Sequence, residues 1–238
     1  MAHVWPGKGN DAHGLTFVST PHIGYGFVSE NGDFAQACSQ ANILFVGPSP
    51  QVLRTFGDKI TAKKAAKEAG VSIVEGTENS VVSTSEILSF ANKVGYPIIL
   101  KHANGGGGRG IRIVHDESEV DNAYKRCLSE VGGGANGGVF VEKAVMAGRH
   151  IEVQVLADAH GNVVHLYDRD CSVQRRFQKI IEIAPALNIE AGLRERVLKD
   201  AVALAKYVNY VGAGTVEFLV DEKANRHYFM EVNPRLQV

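Results

Sequence analysis

The stretch Lys101-His-Ala-Asn-Gly-Gly-Gly-Gly-Arg-Gly110 constrains this chain more than any other. Apolar, strand-like segments flank it, Pro97 to Lys101 before and Ile111 to Val114 after. A glycine run lets backbone N–H groups approach phosphate oxygens, and Lys101 and Arg109 bracket this one with positive charge. No Gly-Lys-Ser/Thr follows, which excludes a Walker loop, and no helix pattern follows, which excludes a dinucleotide fingerprint. The run predicts a strand–loop–strand flap over a nucleotide, with a flexible linker as the plainer alternative.

Around it helix and strand patterns alternate, so the fold class is α/β or α+β. Short helices are expected at 33–41 and 50–56 around a buried strand, Ile43-Leu44-Phe45-Val46. The sequence KITAKKAAKEAG after Asp58 favours a helix closed by Gly70. Ser83 and Glu86 form a capping box ahead of Ile87, Phe90, Ala91 and Val94, and Gly95 and Pro97 stop that helix. Asp116 with Glu119 repeats the signal, with Val120, Tyr124, Cys127, Leu128 and Val131 as the buried stripe. The longest helix is expected over 190–208, with Leu193, Val197, Ala201, Leu204 and Val208 on one face. His150 to Leu156 alternates as a strand, with Ile151, Val153 and Val155 on one side and Glu152 and Gln154 on the other. Val163 to Tyr167 follows a Gly161-Asn162 turn, Val216–Val220 and His227–Asn233 form a hairpin, and glycine-rich 131–138 is a loop.

Composition serves to exclude. Lys plus Arg is 25 against 26 acids, too balanced for a general nucleic-acid binder. No run approaches the ~18 apolar residues of a membrane span. The first twenty residues read as neither a secretory signal nor a transit peptide. Cys38, Cys127 and Cys171 are odd in number and widely spaced, which points to a reducing intracellular compartment, cytoplasm or mitochondrial matrix.

Three further groups carry chemistry. Glu231 and Asn233 share a strand face, and a hairpin centred on Ala224 places Glu217 across from Glu231. Three oxygen ligands then converge, suited to Mg²⁺ held together with substrate phosphates. Val216, Phe218, Met230 and Val232 make the other face core. The segment Asp168 to Lys179 gathers Arg169, Arg175, Arg176 and Lys179, whose forks and ammonium suit carboxylate, bicarbonate or phosphate. Arg235 follows the metal strand and could hold a small anion beside it, or a salt bridge to one of the acids. His102, His150, His160 and His165 are individually uninformative by spacing.

The segments PHIGYGFVSEN (21–31), FVGPSP (45–50), GDK (57–59), YPIILKHANGGGGRGIRIV (96–114), RHIEVQVLAD (149–158), HLYDRDCSVQRRFQKIIEIAPA (165–186), GAGTVEFLVD (212–221) and HYFMEVNPRLQV (227–238) resemble, in order, the biotin carboxylase part of biotin-dependent carboxylases. IEIAPA and RHYFMEVNPRLQV are most similar to the pyruvate carboxylase branch, and acyl-CoA carboxylases share most of these motifs.

The resemblance implies an ATP-grasp fold, two lobes around a nucleotide cleft. It places a remnant of a Rossmann-like amino-terminal domain at 1–57 and the ATP-grasp domain at 58–238. The flap lobe is then about 72–141 and the metal and bicarbonate lobe about 145–238. It implies that ATP phosphorylates bicarbonate and that the carboxyphosphate carboxylates biotin on a carrier domain. By motif position, Lys59, Lys101, Gly107 and Gly108 hold ATP phosphates. Glu142, Lys143, Ala144 and Val145 form the adenine hinge, and His150 lies near the ribose. Glu217, Glu231 and Asn233 hold Mg²⁺ or Mn²⁺, the two glutamates also facing ATP. Lys179, Arg235 and the Val238 backbone hold bicarbonate, with Arg235 and Lys179 catalytic. The implied partners are ATP, bicarbonate and the biotinyl carrier domain, with no nucleic acid or membrane; a homo-oligomer is left open.

Phe177 stands where the family has a histidine, and Ile23 replaces a proline. The family continues after the position of Val238 with Glu-His, the glutamate being its base, and a later arginine. The chain therefore reads as a fragment, expected to bind nucleotide weakly, to turn over poorly and to expose the apolar face of the Glu217–Asn233 hairpin. Two other readings stay open: a further ATP-grasp enzyme making an acyl phosphate, which RDCSVQRR argues against, and an ATP-binding chain without turnover.

Overall fold

The computed structural model describes residues 3–5, 20–22, 26, 28–102, 110–129, 138–176 and 178–237. Its named strands pair antiparallel throughout, which makes the fold α+β. Strands β1 (His3–Trp5) and β2 (Thr20–His22) form a separate pair, followed by helices α1 (Gly32–Gln40) and α2 (Pro50–Gly57). No parallel strand pair of the Rossmann kind occurs among the described residues of 1–57.

The expected strand at Ile43–Val46 does not form. Asn42 takes the left-handed conformation and the Ile43 N–H closes back on the Cys38 carbonyl at 2.8 Å, so the end of α1 turns the chain aside. Leu44 and Val46 are left 58% and 49% exposed.

One lobe is a three-stranded sheet in the order β4 (Ile111–Val114), β3 (Ile98–His102), β5 (Val139–Lys143). Helices α4 (Thr84–Val94) and α5 (Val120–Ser129) cover it. The Ser83 hydroxyl accepts from the Glu86 N–H as the capping box requires, and Ile87 and Ala91 are buried. The buried stripe of α5 is Val120, Ala123 and Cys127; Leu128 lies one position past it and is exposed.

The other lobe is a five-stranded sheet ordered β10 (Arg226–Asn233), β9 (Gly212–Asp221), β6 (Arg149–Ala157), β7 (Val163–Arg175), β8 (Gln178–Ile183). Its core side packs on α3 (Lys59–Glu68) and α6 (Ala191–Tyr207). Val216, Phe218, Val220, Phe229 and Val232 are all buried there, so the hairpin's apolar face is covered, contrary to expectation. Met230 is only half-buried, because the strand bulges at it. Exposed apolar side chains gather instead on β7 and β8, at Leu166, Val173, Ile180 and Ile181. No helix among the described residues is long and apolar enough to cross a membrane.

The segment after α3 is stitched to both sheets. Gly70, at φ +78°, reverses the chain, and Ile73 then bridges Phe229 on β10. Gly76 bridges Glu142 and Val81 bridges Val139 on β5. The cleft between the sheets is thereby spanned by one backbone.

Candidate functional site

The register of the five-stranded sheet lines charges up across it. Arg169 on β7, Glu152 on β6, Glu217 on β9 and Glu231 on β10 occupy one row. The hairpin pairs Arg226 with Asp221 through Phe229 with Phe218, then slips one residue at Met230. Without that bulge Met230, not Glu231, would face Glu217.

Adjacent carboxylates repel, so buried Glu152 and Glu217 need cations. Lys179 supplies one from β8, its Nζ 2.6 Å from Glu152 Oε2 and 2.6 Å from Glu217 Oε1. Arg169 donates from Nε to Glu152 Oε1 and from its other nitrogens to Gln154, Thr215 and Gln237. His150 Nε2 lies 2.5 Å from Glu217 Oε2, while Gln174 Nε2 donates to His150 Nδ1 at 2.7 Å. That pair of contacts fixes the proton on Nε2, which donates to the carboxylate. Asn233 Nδ2 donates to Glu217 Oε1 at 2.6 Å.

Burial pushes the Glu217 carboxyl up, but the His150 hydrogen bond and then Lys179 outweigh it and hold it at about 2. Burial likewise lowers Lys179, and Glu217 with Glu152 more than reverse this. Glu231 ends the row, exposed and accepting no hydrogen bond among the described residues. Lost hydration between the cleft walls, and then Glu217, push its proton affinity up against the opposing charge of Lys59.

The facing wall is cationic. Lys59 and Lys63 lie one turn apart on α3, whose N-cap is Asp58, while Ala62, Ala65 and Ala66 pack into the core. Glu142, buried on β5, takes Lys63 on Oε1 and Lys101 of β3 on Oε2 at 2.7 Å. Lys59 Nζ is 3.4 Å from the His102 carbonyl oxygen. Burial, and then Lys59, lower Lys101 to about 8. Burial, and then Lys101 and Lys59, lower Lys63 to about 7. Such a wall suits a polyanion, and the acid row opposite suits a cation bound with it.

Lys59, Lys101, Glu142, His150, Lys179, Glu217, Glu231 and Asn233 thus come together. Arg235 reaches the end of the row, its Nη2 3.5 Å from Asn233 Oδ1, but its Nε is held by Glu30 at 2.8 Å. Lys143 turns its ammonium to the Gly95 and Tyr96 carbonyls, 3.0 and 2.9 Å away. The N–H groups of Lys143 and Ala144 donate to Glu75 and Pro97, and Ala144 and Val145 are half-buried. Arg175 and Arg176 are exposed at the β7–β8 turn. Ile23, Gly107, Gly108, Arg109, Phe177, Val238, Val131 and most of the 131–138 loop lie outside the described residues.

The sequence reading missed Glu152, Lys63 and Gln174 as site residues. Lys63 carried a signal, since it follows Lys59 by four on a helix. Glu152 carried only half of one: its strand was legible, the pairing of that strand with β9 was not.

Two other features remain, one at the edge of the acid row and one away from it. Ligand atoms of Glu152, Cys171 and Glu182 lie within 4.8 Å of one another, but Glu152 is engaged with Arg169 and Lys179. Burial, and then Glu152, also push the Cys171 thiol up to about 12. A surface cavity of about 420 Å³ between β7 and α6, lined by His165, Tyr167, Arg194 and Leu198 among others, shares no residue with the cleft.

Comparison with known proteins matches residues 58–238 to the carbamoyl-phosphate synthase L chain, ATP binding domain, and residues 12–53 to the biotin carboxylase, N-terminal domain. Pyruvate carboxylase 1 of Caenorhabditis elegans is 57% identical over 222 residues, 93% of this chain and 19% of that protein. The chain thus spans about a fifth of the curated relatives it matches. Among solved structures, the biotin carboxylase-beta-gamma-ATP complex from Campylobacter jejuni superposes with a TM-score of 0.85 at 44% identity, covering 90% of this chain and 48% of that one. The Hydrogenobacter thermophilus 2-oxoglutarate carboxylase biotin carboxylase domain dimer, in complex with MgADP, ADP and bicarbonate, gives 0.83 at 43%, covering 92% and 48%.

Proposed function

Because the chain belongs to the family of the carbamoyl-phosphate synthase L chain, ATP binding domain, as the ATP-grasp segment of a biotin carboxylase, we propose that it serves ATP- and bicarbonate-dependent carboxylation of biotin in a pyruvate carboxylase. The observation that carries this is the pairing of an acid row, Glu152–Glu217–Glu231, with a facing lysine cluster across one cleft. Residues 1–57 are then the amino-terminal domain remnant and 58–238 the ATP-grasp domain.

The oxygen donors of Glu217, Glu231 and Asn233 fit Mg²⁺ or Mn²⁺, which Cys- or His-rich sites do not favour. Such an ion, when bound, would neutralise charge on the transferring phosphate. Lys59 and Lys101 take the phosphates, and segment 142–145 with His150 faces the nucleoside. A bicarbonate oxygen attacks the γ-phosphorus while the bond to ADP breaks, giving carboxyphosphate. The bond from its carbon to the bridging oxygen then breaks, giving CO₂ and phosphate; the phosphate takes the N–H proton of biotin on a carrier domain, and that nitrogen bonds the CO₂. Lys179 positions bicarbonate by exchanging part of its contact with Glu217, and Arg235 by exchanging Glu30. Positioning of this kind is worth up to ~7–11 kcal/mol of a barrier.

The test is calorimetric titration of the purified chain with Mg·ADP, then ADP release in the presence of ATP, bicarbonate and free biotin. Mg²⁺-dependent nucleotide binding is expected. Nucleotide binding indifferent to Mg²⁺, or none, would overturn the assignment.

A further inference from the structure

We propose that Lys63 is a positioning residue for the nucleotide: it holds the buried Glu142 carboxylate so that Lys101 is able to leave it for a phosphate oxygen. The inference rests on the nucleotide reading above and adds a residue to it that no sequence motif marked.

Glu142 is 5% exposed in its side chain and divides its two oxygens between two lobes. Oε2 takes Lys101, from the same three-stranded sheet. Oε1 takes Lys63, from the helix that packs into the core of the five-stranded sheet. The Gly76 backbone packs against the Glu142 side chain. It crosses so closely that a Cβ on Gly76 would meet the Val141 carbonyl oxygen at 2.9 Å and Glu142 Cγ at 3.0 Å.

A buried carboxylate stripped of its cation is strongly disfavoured. If Lys101 alone served Glu142, every phosphate it bound would leave such a carboxylate behind, and nucleotide affinity would fall accordingly. With Lys63 on the other oxygen, Lys101 departs and the charge stays paired. The crowding of ammoniums favours the transfer. Lys63 is held near 7 by burial and by Lys101 and Lys59, so phosphate neutralising those two lysines strengthens Lys63 as the remaining partner. Lys63 therefore touches neither phosphate nor adenine in this scheme and acts through Glu142.

The experiment compares Mg·ADP affinity by calorimetry in the parent chain, Lys63→Met, Lys63→Arg and Lys63→Met/Glu142→Gln. Lys63→Met should weaken binding roughly tenfold, the factor that ~1.4 kcal/mol represents. Lys63→Arg should restore it to within about twofold of the parent, the size of the smaller coupling energies between contacting residues. Adding Glu142→Gln to Lys63→Met should recover most of the loss, since no buried charge then needs a partner. A second readout needs no nucleotide. Trace acetylation of Lys101 at about pH 8 should slow severalfold in Lys63→Met, because Lys101 becomes the sole counter-ion of Glu142. Unchanged affinity in Lys63→Met beside a parent that binds overturns the role of Lys63 alone, and so does unchanged labelling of Lys101. A parent that binds no nucleotide overturns the nucleotide reading and the transfer together. Parent-like melting of the variants separates all of these from misfolding.

Discussion

The two walls of the cleft solve opposite electrostatic problems. On the five-stranded sheet three carboxylates stand side by side, and the two buried ones are saturated by Lys179, Arg169, His150 and Asn233. On the facing wall two ammoniums, of Lys63 and Lys101, share one buried carboxylate, Glu142, with the charge of Lys59 close by. The first wall is locked by its own partners and leaves one acid, Glu231, in excess. The second carries surplus positive charge under strain from burial. An anion and a cation arriving together relieve both, which neither wall would manage alone.

If that contrast is sound, deletion of a charge should be far costlier on the acid wall. Glu152→Ala leaves Arg169 without its buried carboxylate and Lys179 with Glu217 alone, and should cost about 3 kcal/mol in denaturant unfolding. On the lysine wall Lys63→Met keeps Lys101 on Glu142 and should cost no more than about 1 kcal/mol. Equal losses at the two positions would break the comparison.

Acid should find the same wall. Glu217 sits at about 2 in the folded chain against 4.5 unfolded, so its contribution is complete above about pH 4.5. That contribution is lost as pH falls from there towards 2. Urea unfolding of the parent should therefore weaken steeply across this window, and Glu217→Gln should lack that part of the slope. A parallel decline in both proteins would show that the ionised Glu217 is not what His150 and Lys179 stabilise.

Glu231 sharpens the contrast within the acid row, because it is the unsaturated member. Its proton affinity is raised, so its ionised form is disfavoured by folding. Glu231→Gln should melt slightly higher than the parent without ligand. It should also bind Mg·ADP roughly tenfold more weakly, about 1.4 kcal/mol, since a formal charge beside the phosphates is gone. A variant that loses stability, or keeps its Mg·ADP affinity, contradicts the assignment.

These walls were unequally legible in the sequence. Residues close in sequence spoke clearly: the Ser83 capping box, the helix after Asp58 and the Glu231–Asn233 spacing all follow from local periodicity. The Glu217–Glu231 pairing was reached by counting to the middle of a hairpin, a count that works because the bulge at Met230 compensates for a turn centred half a residue earlier. Glu152 needed the register of β6 against β9, about sixty residues apart, and no local pattern encodes it. Ile43–Val46 misled because its apolar run pairs with no strand among the described residues, and a left-handed Asn42 decides its course. Lys63 was hidden by its company, since a lysine among KITAKKAAKEAG looks like an ordinary solvated helix face.

The smallest expected effect lies at the rim, where Arg235 pairs with Glu30. The guanidinium is 26% exposed and the carboxylate 43%, so water screens the pair and both side chains lose rotamer freedom in making it. Its net worth should be at most about 1 kcal/mol, and Glu30→Ala should barely move an unfolding curve. The pair nevertheless matters to the acid wall, because Glu30 competes with any small anion for the Arg235 fork. Freed of Glu30, the guanidinium keeps, among the described residues, the 3.3 Å contact with the Leu236 carbonyl and the long one with Asn233. Glu30→Ala should therefore leave stability alone and tighten bicarbonate, read as stronger protection of Mg·ADP-bound protein by bicarbonate in thermal melts. If Glu30→Ala instead destabilises the chain by several kcal/mol, the rim pair belongs with the buried acids, and the locked row extends out to Arg235 with no exchangeable rim beyond it.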